Sequence, residues 1–345
     1  MRIVHVAIFN THKYGTDFYA TDRKISNGLT RNGHFVYDFS YRDICRSESI
    51  FKTTRFGTGR VNQKLLQVCK TIRPDLLLLG HSELIQLETF KKIKAILPGL
   101  KIALWFVDSL FLSKTHKTAH LFDRLEGIDV FFATTGGEYL KAFKTKKNTV
   151  SYIPNMVDGA VEVNRNFMSD ALDIDFLYCG RDDAESGRKS FLAPLFDAID
   201  KKMKCEIRGA FGNPLVFGND YIELLSRAKM GLNFSRRNDI YLYSSDRIVQ
   251  LTGNGILTFS PKVPGMETLF NDSEIIYFNE VPELVDKIAF YHGHDAERKR
   301  IAENGWHKTH MSYNASRVTR FMLELIWEAD FSQDYEWKDE IYKNG

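Results

Sequence analysis

Residues 247–270 read RIVQLTGNGILTFSPKVPGMETLF, and the order of apolar residues and glycines in this stretch decides the fold. The apolar residues after Arg247 predict a helix that ends at Gly253-Asn254-Gly255, since glycine and asparagine commonly end helices. Ile256 to Phe259 then predicts a strand, and Pro264-Gly265 predicts a turn. A helix followed at once by a strand is one step of a parallel α/β sheet, whose ligands bind at the carboxyl ends of the strands. The same pattern also fits a buried αβ unit without a ligand.

Further strands are predicted on both sides of this stretch. In the second half of the chain, apolar runs begin at Ile174, Cys205, Gly231 and Ile275. In the first half, runs bounded by turn residues predict strands at 2–9, 34–39, 76–79, 101–107 and 130–133. Continuous apolar runs are typical of strands that are buried on both faces of a parallel sheet. We therefore expect an α/β protein with Rossmann-like sheets in both halves.

The order of these features resembles the C-terminal half of the CgeB-like glycosyltransferases, a branch of the GT-B superfamily that uses sugar nucleotides. The resemblance rests on Arg247 before the glycine pair, on the strand that follows and on Gly265-Met266-Glu267. It is strongest from Asp175 to Met322 and looser before. It implies a GT-B fold, in which two Rossmann-like domains with parallel sheets face a central cleft, and a donor held mainly by the second domain.

Ile153-Pro154-Asn155 marks the predicted domain boundary, because a proline after a short strand breaks the pattern. GT-B enzymes commonly carry a similar Pro-Asn segment where the chain crosses between domains. We predict an acceptor-side domain over 1–155 and a nucleotide-sugar-binding domain over 156–324. For the tail, 325–345, the resemblance implies packing back on the first domain, and a frayed terminus is the alternative.

Gly180 to Ser190 lies between a predicted strand and a predicted helix, where a diphosphate could bind. Glycine lets a backbone approach phosphate oxygens, a helix N-terminus favours anions, and arginine offers a two-pronged donor. Gly180, Arg181 and Arg188 are therefore candidate donor-binding residues. The alternative is a solvated loop whose arginine and aspartate side chains pair with each other. The spacing is not GxGxxG, so it is no dinucleotide fingerprint.

Arg247 is the third candidate cation. In GT-B enzymes, including the phage DNA β-glucosyltransferases, spaced arginines and an Arg-x-x-Glu motif hold the diphosphate and the ribose. The resemblance therefore places Arg247 on the diphosphate and Gln250 on the ribose. An amide offers one acceptor oxygen where the family glutamate offers two, which predicts a looser grip, an unusual donor or lost activity. Glu267 matches the family's Gly-x-Glu turn and is implied to touch the sugar, although a glutamate there could also simply start a helix.

Asp108 is the candidate catalytic base, since it follows the apolar strand at 102–107 and a carboxylate can accept the proton of an attacked hydroxyl. The phage glucosyltransferases carry an aspartate after a similar strand, where it acts as the base of an inverting displacement. A loop or N-cap aspartate is the alternative. Further candidates for the acceptor side or the cleft rim follow other strands: Thr11, His12, Gly15 and His81.

Bulk composition limits the class of protein. The chain has 345 residues, of which 43% are hydrophobic, enough for two cores. It has no apolar run of membrane-spanning length and no signal-peptide pattern, so we expect a cytoplasmic chain that begins at Met1. Its four cysteines lack CxxC spacing, which argues against zinc or a disulfide framework. Since GT-B transfer does not generally require a metal, we expect neither a metal nor a cofactor besides the nucleotide-sugar substrate.

Charge is distributed unevenly, although the net charge is only +3. The first half is basic and the second is acidic. Basic clusters occur at Lys91, Lys92 and Lys94 and again at 141–147. They indicate either a solvated face or a surface for an anionic partner, such as a membrane leaflet or a nucleic acid.

The function implied by the resemblance is metal-independent transfer of a sugar from a nucleotide donor to a hydroxyl. A cell-surface glycan or its lipid-linked precursor is the expected acceptor, in polysaccharide biosynthesis. One alternative is a phage-type enzyme that modifies DNA. Another is a non-catalytic protein that binds sugar nucleotides or assembles a coat, and a GT-B-fold epimerase is a third. An Asp108 base implies inversion, but both stereochemical outcomes occur in this architecture.

Overall fold

The computed structural model describes residues 1–54, 56–110, 118–182 and 187–343. Contacts within the chain divide it into two compact units. The first comprises Met1–Pro154 and Ala315–Gly345, and the second comprises Asn155–Asn314. Each unit contains a sheet of its own.

The sheet of the first unit has seven strands. They are β1 (Arg2–Ala7), β2 (Phe35–Ser40), β3 (Leu76–Gly80), β4 (Lys101–Phe106), β5 (Val130–Ala133), β6 (Thr149–Tyr152) and β12 (Ile341–Tyr342). Their order is β12-β6-β5-β4-β3-β1-β2, and only β12 pairs antiparallel among them. The leucines of β3 are at most 1% exposed, because both faces of the sheet are covered.

Helices cover this sheet and connect its strands. Those of the first unit are α1 (Thr21–Arg31), α2 (Tyr41–Ser47), α3 (Thr58–Ile72), α4 (Leu87–Ile96), α5 (Ala119–Phe122), α6 (Gly137–Lys141) and α12 (Ala315–Ile326). In α1 the buried residues include Ile25 and Leu29, one helical turn apart. The spacing places both apolar side chains on one face of the helix.

The second unit has a five-stranded parallel sheet in the order β11-β10-β9-β7-β8. Its strands are β7 (Ile174–Cys179), β8 (Cys205–Arg208), β9 (Ala228–Leu232), β10 (Leu257–Pro261) and β11 (Ile276–Phe278). Its helices are α7 (Arg188–Ala198), α8 (Gly218–Arg227), α9 (Arg247–Gly253), α10 (Val281–Gly293) and α11 (Asp295–Ser312). Within the described ranges of both units, no helix is long and apolar enough to cross a membrane.

The decisive stretch folds as its pattern predicts. Helix α9 begins at Arg247 and ends at Gly253, and β10 follows from Leu257. Between them, Gly255 has φ +71°, and a Cβ there would lie 2.7 Å from the Phe167 ring and 2.9 Å from the Asn166 nitrogen. Only glycine meets both demands at this turn. The expected architecture of two parallel-sheet α/β domains is confirmed.

The C-terminal segment joins the first unit from Ala315 onward rather than from residue 325. The reason is close packing of α12 on α1: a Cβ at Gly28 would lie 2.4 Å from the Ala315 oxygen. Nδ2 of Asn32 also donates to the Ser316 carbonyl over 2.8 Å. Farther along, Tyr335 is fully buried and the two residues of β12 pair with β6. This part of the tail therefore belongs to the fold of the first unit.

Replacement of Gly28 by alanine tests the contact between α1 and α12. We expect Gly28→Ala to lower the free energy of unfolding by about 1–3 kcal/mol, because the added methyl group overlaps the Ala315 backbone. Gly59, in α3, is the matched control, since nothing lies within 4 Å of its Cβ position. Gly59→Ala should be neutral or stabilising by up to about 1 kcal/mol. Urea unfolding of both variants measures the difference, and equal stabilities would contradict the packing.

Candidate functional site

Arg247 lies at the carboxyl end of the second unit's sheet. Its Nε donates to the Cys179 carbonyl at the end of β7 over 2.7 Å. Its Nη1 lies 3.3 Å from the Phe234 carbonyl oxygen and 3.2 Å from the Ser245 hydroxyl oxygen. None of these acceptors is a carboxylate, so the hydrogen bonds orient the guanidinium without neutralising it. A fixed cation at a strand end can bind a phosphate.

Gly180 makes the position of Arg247 sterically feasible. A Cβ at Gly180 would lie 2.7 Å from Arg247 Nη2 and 2.8 Å from the Tyr178 hydroxyl. The Tyr178 ring also lies 5.5 Å from the guanidinium carbon, in cation–π range. The structure thus brings together two of the predicted donor-site residues, Gly180 and Arg247.

Arg188 and Arg181 occupy different environments in the loop after β7. The Arg188 side chain is only 6% exposed, and its Nη1 lies 3.2 Å from the Arg181 carbonyl oxygen. The Arg181 side chain is exposed. Arg188 therefore holds the backbone of the loop, and its predicted contact with phosphate stays a prediction. Residues 183–186 of this loop lie outside the described residues.

Gln250 is engaged inside the unit rather than turned toward solvent. Its side chain is 5% exposed, its Oε1 accepts from the Tyr221 hydroxyl over 2.6 Å, and its Nε2 donates to Asp246 Oδ2 over 2.8 Å. The amide oxygen expected on a ribose is thus already bonded. The neighbouring Asp246 carboxylate is half-buried and offers a second acceptor for hydroxyl groups. Sequence reasoning missed Asp246, although its position just before Arg247 was a usable signal.

A network of small polar side chains supports the loop before α9. Asn233 Nδ2 lies 3.0 Å from the Ser244 hydroxyl and 2.9 Å from the Ser260 hydroxyl. Asn155, from the predicted boundary motif, donates to the Ser244 carbonyl over 2.9 Å. These bonds fix the chain that leads into Arg247. No single motif marks this network in the sequence.

Glu267 lies on the short 3-10 helix Met266–Thr268, and its side chain is exposed. The preceding Gly265 has φ +80°, and a Cβ there would lie 2.3 Å from the Tyr241 ring. The turn therefore requires glycine, as the Pro264-Gly265 pattern indicates. The predicted contact of Glu267 with a sugar stays a prediction.

In the first unit, Asp43 holds the loop after β1. It accepts hydrogen bonds from the Thr11 nitrogen at 2.7 Å, from the Thr11 hydroxyl at 2.8 Å and from His12 Nδ1 at 2.5 Å. Burial raises the pKa of Asp43, but the hydrogen bonds from Ser40, Thr11 and His12 outweigh it and bring the pKa below its usual value. Thr11 and His12, two predicted rim residues, therefore lie together. The third, Gly15, follows in the same loop with φ +91°.

His81 follows β3 in a conformation that is unusual for a residue with a side chain. His81 and Ser82 have φ of +54° and +51°. Arg124, 4% exposed, donates from Nη2 to the His81 carbonyl over 3.1 Å and from Nη1 to the Ser82 hydroxyl over 2.9 Å. Burial lowers the pKa of Arg124 to about 10. Consecutive left-handed residues held by a buried arginine are typical of a functional turn.

Asp108 lies where the sequence predicts, two residues beyond the end of β4. Its side chain is exposed, whereas the following Ser109 and Leu110 are buried. Residues 111–117 lie outside the described residues. The position is accessible to a substrate, and the catalytic role stays a prediction.

Asp22 is a second carboxylate at this end of the sheet, and sequence reasoning missed it. It lies in the first turn of α1, and its Oδ1 accepts from the Ile8 nitrogen over 2.8 Å. It lines a pocket of about 260 Å³ that also includes Phe9, Thr11 and Gly15. Burial raises the pKa of Asp22, an effect that the charge of His81 partly opposes. An acidic residue in a first helical turn is common, so the sequence carried no special signal.

A buried chain of hydrogen bonds lies beneath the His81 turn. Trp105 Nε1 donates to His5 Nε2 over 3.0 Å, so Nδ1 of the neutral ring carries the hydrogen and donates to the Ser26 hydroxyl over 2.8 Å. Ser26 donates in turn to Asp38 over 2.6 Å. Burial, with a smaller effect of the Arg23 charge, lowers the pKa of His5 to about 3. His5 therefore stays neutral and orients Trp105.

The part of the chain that the structure describes shows no candidate metal site. No group of three or more histidine, cysteine, aspartate or glutamate side chains there is placed to hold an ion. The expectation of metal-independent chemistry stays a prediction.

Comparison with solved structures gives the fold its class. Sucrose-phosphate synthase from Thermosynechococcus elongatus aligns with TM-score 0.62 and 11% identity over 95% of this chain and 98% of that one. Anabaena Alr3699/HepE in complex with UDP-glucose aligns with TM-score 0.62 and 12% identity over 95% and 100%. A glycosyltransferase from Rickettsia africae ESF-5 aligns with TM-score 0.61 and 14% identity over 95% and 98%. The chain has the GT-B fold.

A sequence comparison adds a narrower finding. Residues 188–324 match a family model that is described as glycosyl transferase-like. The matched region begins at α7 and includes Arg247 and all of α9. A search of curated proteins finds no match. The finer resemblance to CgeB-like enzymes and to phage β-glucosyltransferases stays a prediction.

The pKa of His5 predicts a pH dependence of stability. Below the unfolded-state pKa of about 6.5, the unfolded chain binds a proton at His5 and the folded chain does not. The contribution of His5 to the free energy of unfolding is therefore fully present above pH 6.5. It is lost as pH falls toward 3, by up to about 1.4 kcal/mol per pH unit. His5→Gln keeps an acceptor for Trp105 but does not titrate. Its unfolding free energy should fall less steeply between these pH values, and parallel curves would contradict the assignment.

Proposed function

We propose that this protein transfers a sugar from a nucleotide-sugar donor to a hydroxyl acceptor, without a metal ion or a further cofactor. The observation that carries the proposal is the Arg247 guanidinium, which among the described residues is held at the carboxyl end of β7 by two carbonyls and a hydroxyl. A nucleotide sugar presents two phosphates, for which an oriented guanidinium is a strong ligand. The glycosyl transferase-like match over 188–324 supports the same reaction class.

The donor would bind to the second unit. Arg247 and Gly180 form the centre of the diphosphate site, Arg188 shapes the adjoining loop, and Arg181 adds an exposed cation. Asp246 is a better ribose ligand than Gln250, because the Gln250 oxygen is bonded to Tyr221. The HepE structure was solved with UDP-glucose, which makes a uridine donor the first to test.

The acceptor would bind to the first unit, and a carboxylate there would take its proton. Asp108 is the proposed base, with Asp22 as a second candidate in the neighbouring pocket. Thr11, His12, Gly15 and His81 supply the rim. The expected acceptor is a cell-surface glycan or its lipid-linked precursor, with transfer at the inner face of the membrane. The basic clusters of the first half also suit DNA, and a steep salt dependence of DNA binding would favour that alternative.

A non-catalytic sugar-nucleotide-binding or coat-assembly role is the second candidate function. The observation that favours it is the Gln250 amide, which is bonded within the unit. A protein with this role would bind a nucleotide and leave its sugar in place.

Nucleotide binding tests the donor site first. We expect one member of a panel of UDP, GDP, ADP, dTDP and CMP to raise the melting temperature, since a ligand at a hundred times its Kd stabilises by about 2.7 kcal/mol. Arg247→Ala should weaken that binding at least about tenfold, because a charge-assisted hydrogen bond to phosphate is lost. Arg227→Ala is the matched control, as that arginine pairs with Asp173 at the opposite end of the sheet. The donor site would be contradicted if both variants lost nucleotide affinity equally, or if no nucleotide raised the melting temperature of the wild type.

The base is tested by turnover of whichever nucleotide sugar binds. Asp108→Asn should lower the release of nucleoside diphosphate by roughly 100-fold or more and leave nucleotide binding unchanged. If Asp22 is the base instead, Asp22→Asn has this effect. The wild-type rate should then fall on acidification at a pH above the usual aspartate range, because burial raises the Asp22 pKa. Asp123→Asn, exposed and outside the pocket, is the control. Binding without turnover in the wild type would support the non-catalytic role.

A further inference from the structure

Large apolar side chains protrude from the segment between α2 and α3. Ile50, Phe51 and Phe56 are 85%, 70% and 61% exposed, and the two phenylalanine rings lie 5.6 Å apart. We call these three residues the apolar tip. Isolated exposed apolar residues are ordinary, but a cluster of large ones marks an interaction surface.

The apolar tip stands on a turn whose sequence is unusual. The Lys52 nitrogen donates to the Ser49 carbonyl over 2.9 Å, so Ile50 and Phe51 are the two central residues of a turn. Such positions usually carry glycine, proline, asparagine or aspartate, which suit the backbone and water. Ile50 and Phe51 belong to none of these residue types, and both side chains are exposed. Their exposure therefore calls for an external partner.

The base of the segment is fixed on α2 and α3. Cys45 Sγ donates to the Thr54 carbonyl over 3.3 Å, and Arg60 Nη1 donates to the Glu48 carbonyl over 2.6 Å. A Cβ at Gly57 would lie 2.2 Å from the Cys45 oxygen, so the chain returns in close contact with α2. The apolar tip is thus presented outward from an anchored base.

Cations surround that base. Lys64 Nζ lies 2.7 Å from Glu48, the carboxylate of the segment, and the Arg60 guanidinium bonds the Glu48 backbone. Lys52, next to Phe51, is exposed. Arg46 is paired with Asp43, so that among the described residues from 46 to 64 the cations without a carboxylate partner are Lys52 and Arg60. Apolar groups at the tip with cations behind them match a bilayer, where acyl chains lie beneath anionic headgroups.

The location of the apolar tip connects it with the acceptor side. Strand β2 ends at Ser40, α2 starts at Tyr41, and Asp43 on α2 bonds Thr11 in the loop after β1. In that loop, Tyr14 is 98% exposed. The segment and the predicted acceptor rim therefore lie at the same, carboxyl, end of the first unit's sheet.

We propose that the apolar tip and its cations bind an anionic lipid bilayer and that the acceptor hydroxyl is lipid-linked. The second part rests on the proposed function, whereas bilayer binding itself does not require it. Ile50, Phe51 and Phe56 enter the interface, and Lys52 and Arg60 contact headgroup phosphates. The apolar tip and its cations differ from the lysine clusters at 91–94 and 141–147, because those clusters contain few exposed apolar side chains.

Sedimentation with vesicles tests the proposal. The full chain should bind vesicles of phosphatidylglycerol and phosphatidylcholine in equal parts, bind phosphatidylcholine vesicles less, and dissociate as salt rises. Ile50→Ser with Phe51→Ser should weaken binding at least about tenfold, because burial of one large apolar side chain already corresponds to about that factor. Met311→Ser, which changes a side chain that is 72% exposed on α11 of the second unit, should bind like the wild type.

Other outcomes overturn the proposal. Wild-type binding that the double substitution leaves unchanged, or no binding to anionic vesicles, removes the bilayer role. The wild type could also form a dimer and fail to bind vesicles. If the double substitution then disperses the dimer, the apolar tip binds a second copy of the chain instead of a bilayer. The nucleotide-induced rise in melting temperature, measured on the same samples, should be equal in wild type and variant. Vesicle binding without any nucleotide response would leave the bilayer role standing and reject the donor site instead.

Discussion

The hydrogen bond from Arg247 Nε to the Cys179 carbonyl is the interaction on which the candidate donor site depends. It places a guanidinium at the end of β7, and it requires the absence of a side chain at Gly180. In the part of the chain that the structure describes, its remaining acceptors are the Phe234 carbonyl and the Ser245 hydroxyl, so these hydrogen bonds orient the charge without cancelling it. A carboxylate in their place would hold the arginine equally well and remove its attraction for phosphate.

The first unit orders its loops by a different means, with buried charges bonded to loop backbone and side chains. Asp43 holds the loop that carries Thr11 and His12, and Arg124 holds the left-handed turn of His81. Both groups lose hydration on burial, and hydrogen bonds replace it. Loops fixed in this way present a rim of fixed shape to a substrate, which reduces the ordering that binding would otherwise require.

Parallel sheets explain why candidate residues distant in sequence come together. The carboxyl ends of parallel strands meet at one edge, so the loops after β1, β2, β3 and β4 all leave from the same side of the first unit. Asp22, His81, Asp108 and the base of the apolar tip belong to these loops or to the helix starts that follow them. The topology therefore brings the candidate bases, the candidate rim and the proposed bilayer surface to one side of the first unit without any shared sequence motif.

The sequence by itself determined the alternation of strands and helices, the Gly255 turn, the start of a helix at Arg247 and the positions of Gly180 and Asp108 after strands, because these depend on apolar runs and local backbone preferences. It did not predict that Gln250 would bond Tyr221, that Asp22 would line a pocket or that α12 would pack on Gly28. Each of these contacts joins side chains from separate segments, so their burial and hydrogen bonds exist only once the chain has folded. Local patterns fixed the elements, and tertiary packing decided which polar groups remain available for chemistry.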